Sequence, residues 1–284
     1  MKLIADSGST KTTWCLISDK RPNENERYVT GVGINPVRDD EAAINSALDG
    51  VGLLSSSEIN EVHFYGAGCI PTTITIMERV LSKRFPDASI EVASDLLGAA
   101  RALCGKEEGI ACILGTGSNS GLYDGCQLVA NVSPMGWILG DEGSGAVLGR
   151  TLVSELYKGS LQHLRQEFEE EYLPTLITIE TTPQAAIIQA VYRSPMPNRF
   201  LASLVPFLAQ KRKDHGIEEL IEDAFRKFFR RNVAAYGRPD LPVNFVGGVA
   251  GAFETELRAA AVSEGFDFGH IMTAPIKGIV RYHD

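Results

Sequence analysis

The chain has 284 residues, of which 44% are hydrophobic and 22% charged, enough for two globular domains with ample core. Its net charge of -9 argues against a nucleic-acid partner, which needs a basic stripe, although local cradles of backbone N–H groups can still hold phosphates. No apolar run approaches the ~20 residues that span a bilayer, and Met1-Lys2 leads into a short strand rather than an apolar leader, so a cytoplasmic location and no membrane partner are expected.

In chain order, strands are expected at 2–5 and 12–18, joined as a hairpin by Asp6-Ser7-Gly8-Ser9-Thr10-Lys11-Thr12. Small residues in such a loop let consecutive N–H groups approach an anion. Asp6 opens the loop at a strand end, a position suited to a hydrated Mg²⁺, with a local Asx turn as the alternative. Lys11 suits either a phosphate oxygen or plain exposure. The loop is not a Walker A motif, because it lacks that spacing and leads to a strand. Further strands are expected at 27–32, 62–66 and 90–93, and helices at 41–48 and 71–85. An Ala-rich helix over 95–104 opens with Asp95, which serves equally as an N-cap or as a base at the carboxyl end of a strand, taking a proton from a hydroxyl that attacks a γ-phosphate.

The second half opens the same way. A strand at 110–114 runs into Gly115-Thr116-Gly117-Ser118-Asn119-Ser120, followed by strands at 120–123 and 127–132 across the Asp124-Gly125 turn. Met135 to Gly145 holds Gly136, Trp137, Gly140, Asp141 and Glu142; an aromatic plate beside carboxylates suits a sugar, and a buried Trp beside a helix capped by Asp141 is the alternative. Helices are expected at 143–157, 160–171, 183–192, 197–213 and 216–236. A strand at 243–246 meets Gly247-Gly248-Val249-Ala250-Gly251, whose missing side chains admit a ring or phosphate, before a helix at 252–264 and a strand at 271–274. The order strand, glycine loop, strand, strand thus occurs twice. It predicts an α/β chain with a first domain over 1–108 and a second over 109–284, facing each other across a cleft. Five cysteines (Cys15, Cys69, Cys104, Cys112, Cys126) lack metal-ligand spacing and read as reduced thiols. The five histidines read as structural or surface residues.

The ordered set D-S-G-S-T-K-T, S-D, G-T-G-S-N, G-W…G-D-E-G-S-G and G-G-V-A-G resembles the superfamily of actin, heat-shock chaperone ATPases and sugar kinases. Within it, the chain most resembles the N-acetylglucosamine kinase group of the BadF/BadG-type ATPases, over nearly its whole length. The resemblance implies two actin-like (ribonuclease H-like) domains, each a mixed sheet with flanking helices, with ATP and Mg²⁺ as cofactors. Gly8, Ser9, Thr10 and Lys11 would then form a first phosphate loop with Asp6 near Mg²⁺; Gly115, Thr116 and Gly117 would grasp the β- and γ-phosphates; Gly247, Gly248 and Gly251 would lie along the adenosine. The sugar would meet Asn35, Ser118, Asn119, Gly136, Trp137 and Asp141, with Asp95 as substrate contact and catalytic base. One departure stands out: the related kinases often carry G-W-G-x-x-x-G-D-E-G-S, whereas only Ile138-Leu139 separates Trp137 from Gly140-Asp141. Either the loop is two residues shorter or Gly136 matches the second glycine and Trp137 is shifted.

The reading is phosphorylation of an amino sugar, N-acetylglucosamine to its 6-phosphate, with a homodimer as the usual state of such kinases. An activator of a radical dehydratase, a sugar-responsive regulator and a silent sugar binder share the fold. The first needs cluster-ligating cysteines after the second loop, and the second needs a DNA-binding extension; neither is seen in this sequence.

Overall fold

Leu3, Ile4 and Ala5 are fully buried in β1 (Lys2–Ser7), the middle strand of the first of two five-stranded sheets. The computed structural model describes residues 1–8, 10–18, 26–52 and 58–284. β1 pairs antiparallel with β2 (Lys11–Ile17), and β2 antiparallel with β3 (Arg27–Val32). On its other side β1 runs parallel to β4 (Glu61–Gly66), and β4 parallel to β5 (Ser89–Ser94), giving the order β3-β2-β1-β4-β5. Parallel neighbours need crossovers, supplied by α1 (Glu41–Asp49) before β4 and α2 (Ile74–Arg84) before β5. α3 (Asp95–Cys104) follows β5 directly. Trp14 and Phe64, ring centroids 5.8 Å apart, anchor this first core with Met77 and Leu81.

The second sheet is built from β6 (Glu108–Leu114), β7 (Ser118–Asp124), β8 (Leu128–Val132), β9 (Val243–Val246) and β10 (Phe268–Met272). Its order β10-β9-β6-β7-β8 is that of the first sheet read from the opposite edge, with β9 parallel to both β6 and β10. Between β8 and β9 lie α4 (Gly136–Leu139), α5 (Gly145–Lys158), a helical run through α6 (Arg165–Glu167), α7 (Pro183–Tyr192), α8 (Pro197–Ala202), α9 (Val205–Gln210) and α10 (Ile217–Phe228). α11 (Gly248–Ala252), α12 (Glu254–Ser263) and α13 (Ile276–His283) complete the chain. Phe225, Phe228, Phe229, Phe245 and Phe253 are fully buried in the second core.

The chain divides into two compact units: 1–108 with 123–128 and 274–284, and 109–122 with 129–273. Residues 123–128 and 274–284, which the sequence reading grouped with the second domain, pack with the first. α13 lies on α3, where a Cβ on Gly278 would come within 2.7 Å of Ala102. The helix expected at 197–213 is two helices broken at Ser203-Leu204, because Pro206 has no N–H to continue the ladder. The run expected over 160–171 breaks into 3₁₀, α and π turns, and that over 216–236 passes through a π turn at Phe229–Val233 and ends in a 3₁₀ turn at Ala234–Tyr236. No helix among the described residues is long and apolar enough to cross a membrane. None of the five cysteines forms a disulfide.

Candidate active site

In the first unit β1, β4 and β5 end level, with Ser7, Gly66 and Ser94 in one row. Carboxyl ends of parallel strands are where α/β folds gather ligands. Asp6 stands one residue before this row and Asp95 one residue after it. Burial first, then the charge of Asp95, pushes Asp6 from 3.8 up to about 7, with Lys11 drawing it partly back. Burial also pushes Asp95 upward, against the N–H of Leu96, which donates to its Oδ1 at 2.9 Å. The cap of α3 is Ser94, whose hydroxyl accepts the N–H of Leu97 at 3.2 Å. Asp95 is therefore not the N-cap that the sequence allowed. Two carboxylates both raised by burial, the charge of Asp95 adding to the rise at Asp6, make a site that favours a cation or a proton. The all-oxygen donor chemistry fits Mg²⁺.

The hairpin after Asp6 closes with the N–H of Gly8 donating to the carbonyl of Lys11 at 3.0 Å. Thr10 and Lys11 are exposed at its tip. Ser9 lies outside the described residues. Below the tip, the buried hydroxyls of Ser7 and Thr12 meet at 2.7 Å; Thr12 donates to the carbonyl of Val32 at 2.9 Å, and the N–H of Ile34 donates to Ser7 Oγ at 3.1 Å. This network ties the hairpin to the segment that carries Asn35. There Asn35 closes a turn, its Oδ1 accepting the N–H of Val37 at 3.0 Å and its N–H donating to Asp39 at 2.8 Å.

Sequence reasoning missed the turn Gly66-Ala67-Gly68-Cys69. Gly68 has φ +79°, and a Cβ there would lie 2.0 Å from Asn35 Oδ1, so only glycine lets Asn35 settle. Cys69 is buried, and burial followed by the charge of Asp95 pushes its thiol up to about 12. One short turn thus touches Asn35 and borders Asp95. Its signal was legible as a Gly-x-Gly directly after a buried strand.

In the second unit Gly115-Thr116-Gly117 turns tightly after β6, the N–H of Gly115 donating to the carbonyl of Gly117 at 2.9 Å. The loop rests on the first turn of α5: Gly145 and Ala146 donate to the carbonyls of Gly115 and Thr116 at 2.8 and 3.1 Å. Ser144 caps this helix, accepting the N–H of Val147 at 3.2 Å. Asp141 is not its cap. It is buried, and its Oδ2 sits 3.0 Å from where a Cβ on Gly117 would be. Burial first, with the charge of Glu142 and against the N–H of Gly136, pushes Asp141 up to about 6. Glu142 is engaged elsewhere, by Arg231 at 2.9 Å and Asn232 at 3.3 Å.

Gly247 borders the same loop. Its φ is +129°, and a Cβ would lie 2.2 Å from the carbonyl oxygen of Leu114 and 3.3 Å from the N of Gly115. Gly251 faces Thr273, which would be 2.7 Å from an added Cβ. Gly115 and Gly248 differ. Neither lies in the left-handed region, and a Cβ on either meets nothing within 4 Å. The protein's own packing gives no reason for glycine at these two positions, which fits close approach of a ligand such as a polyphosphate.

Ser118 is buried on β7, and beside it Asn119 Oδ1 accepts the N–H of Ser120 at 2.9 Å. Trp137 lines a separate hollow of the second unit. Its ring is half-buried with Val153, Tyr157, Ile187 and Leu201 around a hollow of about 440 Å³, and its carbonyl accepts Arg150 at 2.8 Å. Gly136 meets Asp141 through its N–H.

Two sheets of one strand order, each with a glycine loop beside its middle strand, are the fold of the actin-like ATPases, to which the sugar kinases belong. No family model and no curated protein matches the chain. Among solved structures, a "putative N-acetylglucosamine kinase" from Porphyromonas gingivalis is 42% identical, with a TM-score of 0.87 and coverage of 100% of this chain and 98% of that one. A protein of the same description from Chromobacterium violaceum is 18% identical, with a TM-score of 0.68 over 100% and 98% of the two chains. The ethanolamine utilization protein EutJ from Carboxydothermus hydrogenoformans shares the fold at 12% identity and a TM-score of 0.54, over 99% and 89%. The chain belongs to the N-acetylglucosamine kinase-like group of the BadF/BadG-type ATPase family.

Proposed function

We propose that the protein transfers the γ-phosphoryl group of ATP to an amino sugar, forming N-acetylglucosamine 6-phosphate. The observation that carries this reading is the Asp6–Asp95 pair at the level ends of β1, β4 and β5. Asp95 takes the proton of the sugar's 6-hydroxyl as that oxygen bonds to the γ-phosphorus. The bond from phosphorus to the bridging oxygen breaks, and ADP leaves with that electron pair. Burial raises the proton affinity of Asp95, which strengthens it as a base. Asp6 would hold Mg²⁺, which when bound neutralises charge on the phosphates.

Gly8, Ser9, Thr10 and Lys11 serve as the first phosphate loop and Gly115, Thr116 and Gly117 as the second, with Gly247, Gly248 and Gly251 along the adenosine. The open faces of Gly115 and Gly248 support this assignment. Asn35, Ser118, Asn119, Gly136 and Asp141 hold the sugar, while Trp137 lines a separate apolar hollow.

The test is sugar-dependent ADP release with Mg·ATP over a panel of N-acetylglucosamine, glucosamine, N-acetylmannosamine, a muramyl sugar and plain hexoses. Turnover with N-acetylglucosamine, and product phosphorus coupled to the two protons of carbon 6, is the expected result. ATP hydrolysis that ignores every sugar contradicts the reading and points to a partner-activating ATPase.

A further inference from the structure

We infer that Asn131, on β8, is a positioning residue that decides which end of the Asn119 amide meets the sugar. This rests on the kinase reading, which places Asn119 against the substrate. An asparagine amide has an oxygen on one side and an NH₂ on the other, and its hydrogen bonds alone settle which way it faces. Asn119 Oδ1 accepts the N–H of Ser120 at 2.9 Å and the Nδ2 of Asn131 at 2.8 Å. The first donor is backbone and cannot be reversed. The second is fixed as well, because Asn131 Nδ2 also lies 2.6 Å from the carbonyl oxygen of Ser120 and 3.3 Å from that of Val132, both of which only accept.

Two donors converging on one oxygen use both of its lone pairs. Asn119 therefore spends its oxygen on the protein and keeps its NH₂ for the ligand. The ligand atom opposite it must accept: a hydroxyl or acetamido oxygen fits, and the ammonium of a free amino sugar does not. Tyr236 braces the arrangement from the same unit. It accepts the N–H of Val132 at 3.2 Å and meets Ser120 Oγ at 2.7 Å, which holds β7 and β8 in the register that sets Asn131 beside Asn119.

Asn, Asp and Leu have nearly one shape, and Asn131 is exposed on β8, so neither replacement empties a core. Asn131→Leu removes the donor; Asn131→Asp sets a carboxylate against three oxygens. The sugar KM should rise about tenfold in Asn131→Leu and further in Asn131→Asp. The KM for ATP and kcat should stay within about twofold, since uniform substrate binding is what is lost. Thermal midpoints should remain close to wild type. An unchanged sugar KM in both variants overturns the inference, as does a parallel rise in both KM values with a lowered midpoint, which marks a plain sheet residue. If the wild type turns over no sugar at all, the kinase reading falls and this inference with it.

Discussion

Replacing Gly115 with alanine should separate binding from folding. The added methyl meets nothing within 4 Å, and the backbone there is outside the left-handed region. Gly→Ala at such a position removes unfolded-state freedom and stabilises by about 0.4–1 kcal/mol. For a chain of this size that moves the thermal midpoint upward by ~2 °C. The same methyl projects from the loop assigned to the phosphates. Loss of one hydrogen bond to a charged group costs about 1.5–3 kcal/mol, or roughly 10- to 150-fold in the KM for ATP. Gly247→Ala is the matched control. Its φ of +129° and the Leu114 carbonyl 2.2 Å from the new Cβ make it a folding defect, with a lowered midpoint expected. Steady-state kinetics beside thermal melts of both variants read the contrast. A Gly115→Ala protein with a normal midpoint and an ATP KM within twofold of wild type would refute the reasoning from open glycines.

Three further outcomes are expected. Asp6 holds its proton up to about pH 7 in the folded chain against 3.8 unfolded, so its contribution to stability is greatest below about pH 4 and is lost as pH rises to 7. Asp6→Asn should flatten that slope, by on the order of 3 kcal/mol across the window, and Mg·ATP binding by wild type below pH 7 should release a proton, read by calorimetry in buffers of different ionisation heat. His283 works in the opposite sense: burial, then the neighbouring His63, depress it from 6.5 to about 4, so stability present above pH 6.5 is lost as pH falls toward 4. Urea melts should show wild type losing ~2 kcal/mol relative to His283→Phe over that interval, after allowance for partial exposure; parallel pH profiles would count against it. Arg212 pairs with the buried carboxylate of Glu256, its Nη2 2.6 Å from Oε2, and Arg212→Met should cost about 3 kcal/mol by stranding that charge, less in the double variant with Glu256→Gln.

Much of the fold was legible because its strands are short apolar runs ending in glycine. Lys2–Ser7, Glu108–Leu114 and Val243–Val246 are each followed by a glycine within four residues. What escaped was set by contacts remote in sequence. α13 carries no side-chain cap and packs on α3, β1 and β2, all remote from it in sequence. His63 and His283, 220 residues apart, stack at 3.8 Å over Glu91, which no spacing along the chain announces. The caps of α3 and α5 stayed open in the sequence for a local reason: Ser94 and Asp95 are both good N-caps, as are Asp141 and Ser144, and the preceding backbone chose serine each time. In both cases the aspartate was left for other chemistry.

The central claim is that Asp95 takes the proton of the attacking hydroxyl. Its most direct test is single-turnover phosphoryl transfer to N-acetylglucosamine by Asp95→Asn, with ATP affinity measured on the same preparation. The account predicts a rate lowered roughly 10²- to 10⁴-fold with ATP affinity little changed. A rate within a few-fold of wild type would contradict it.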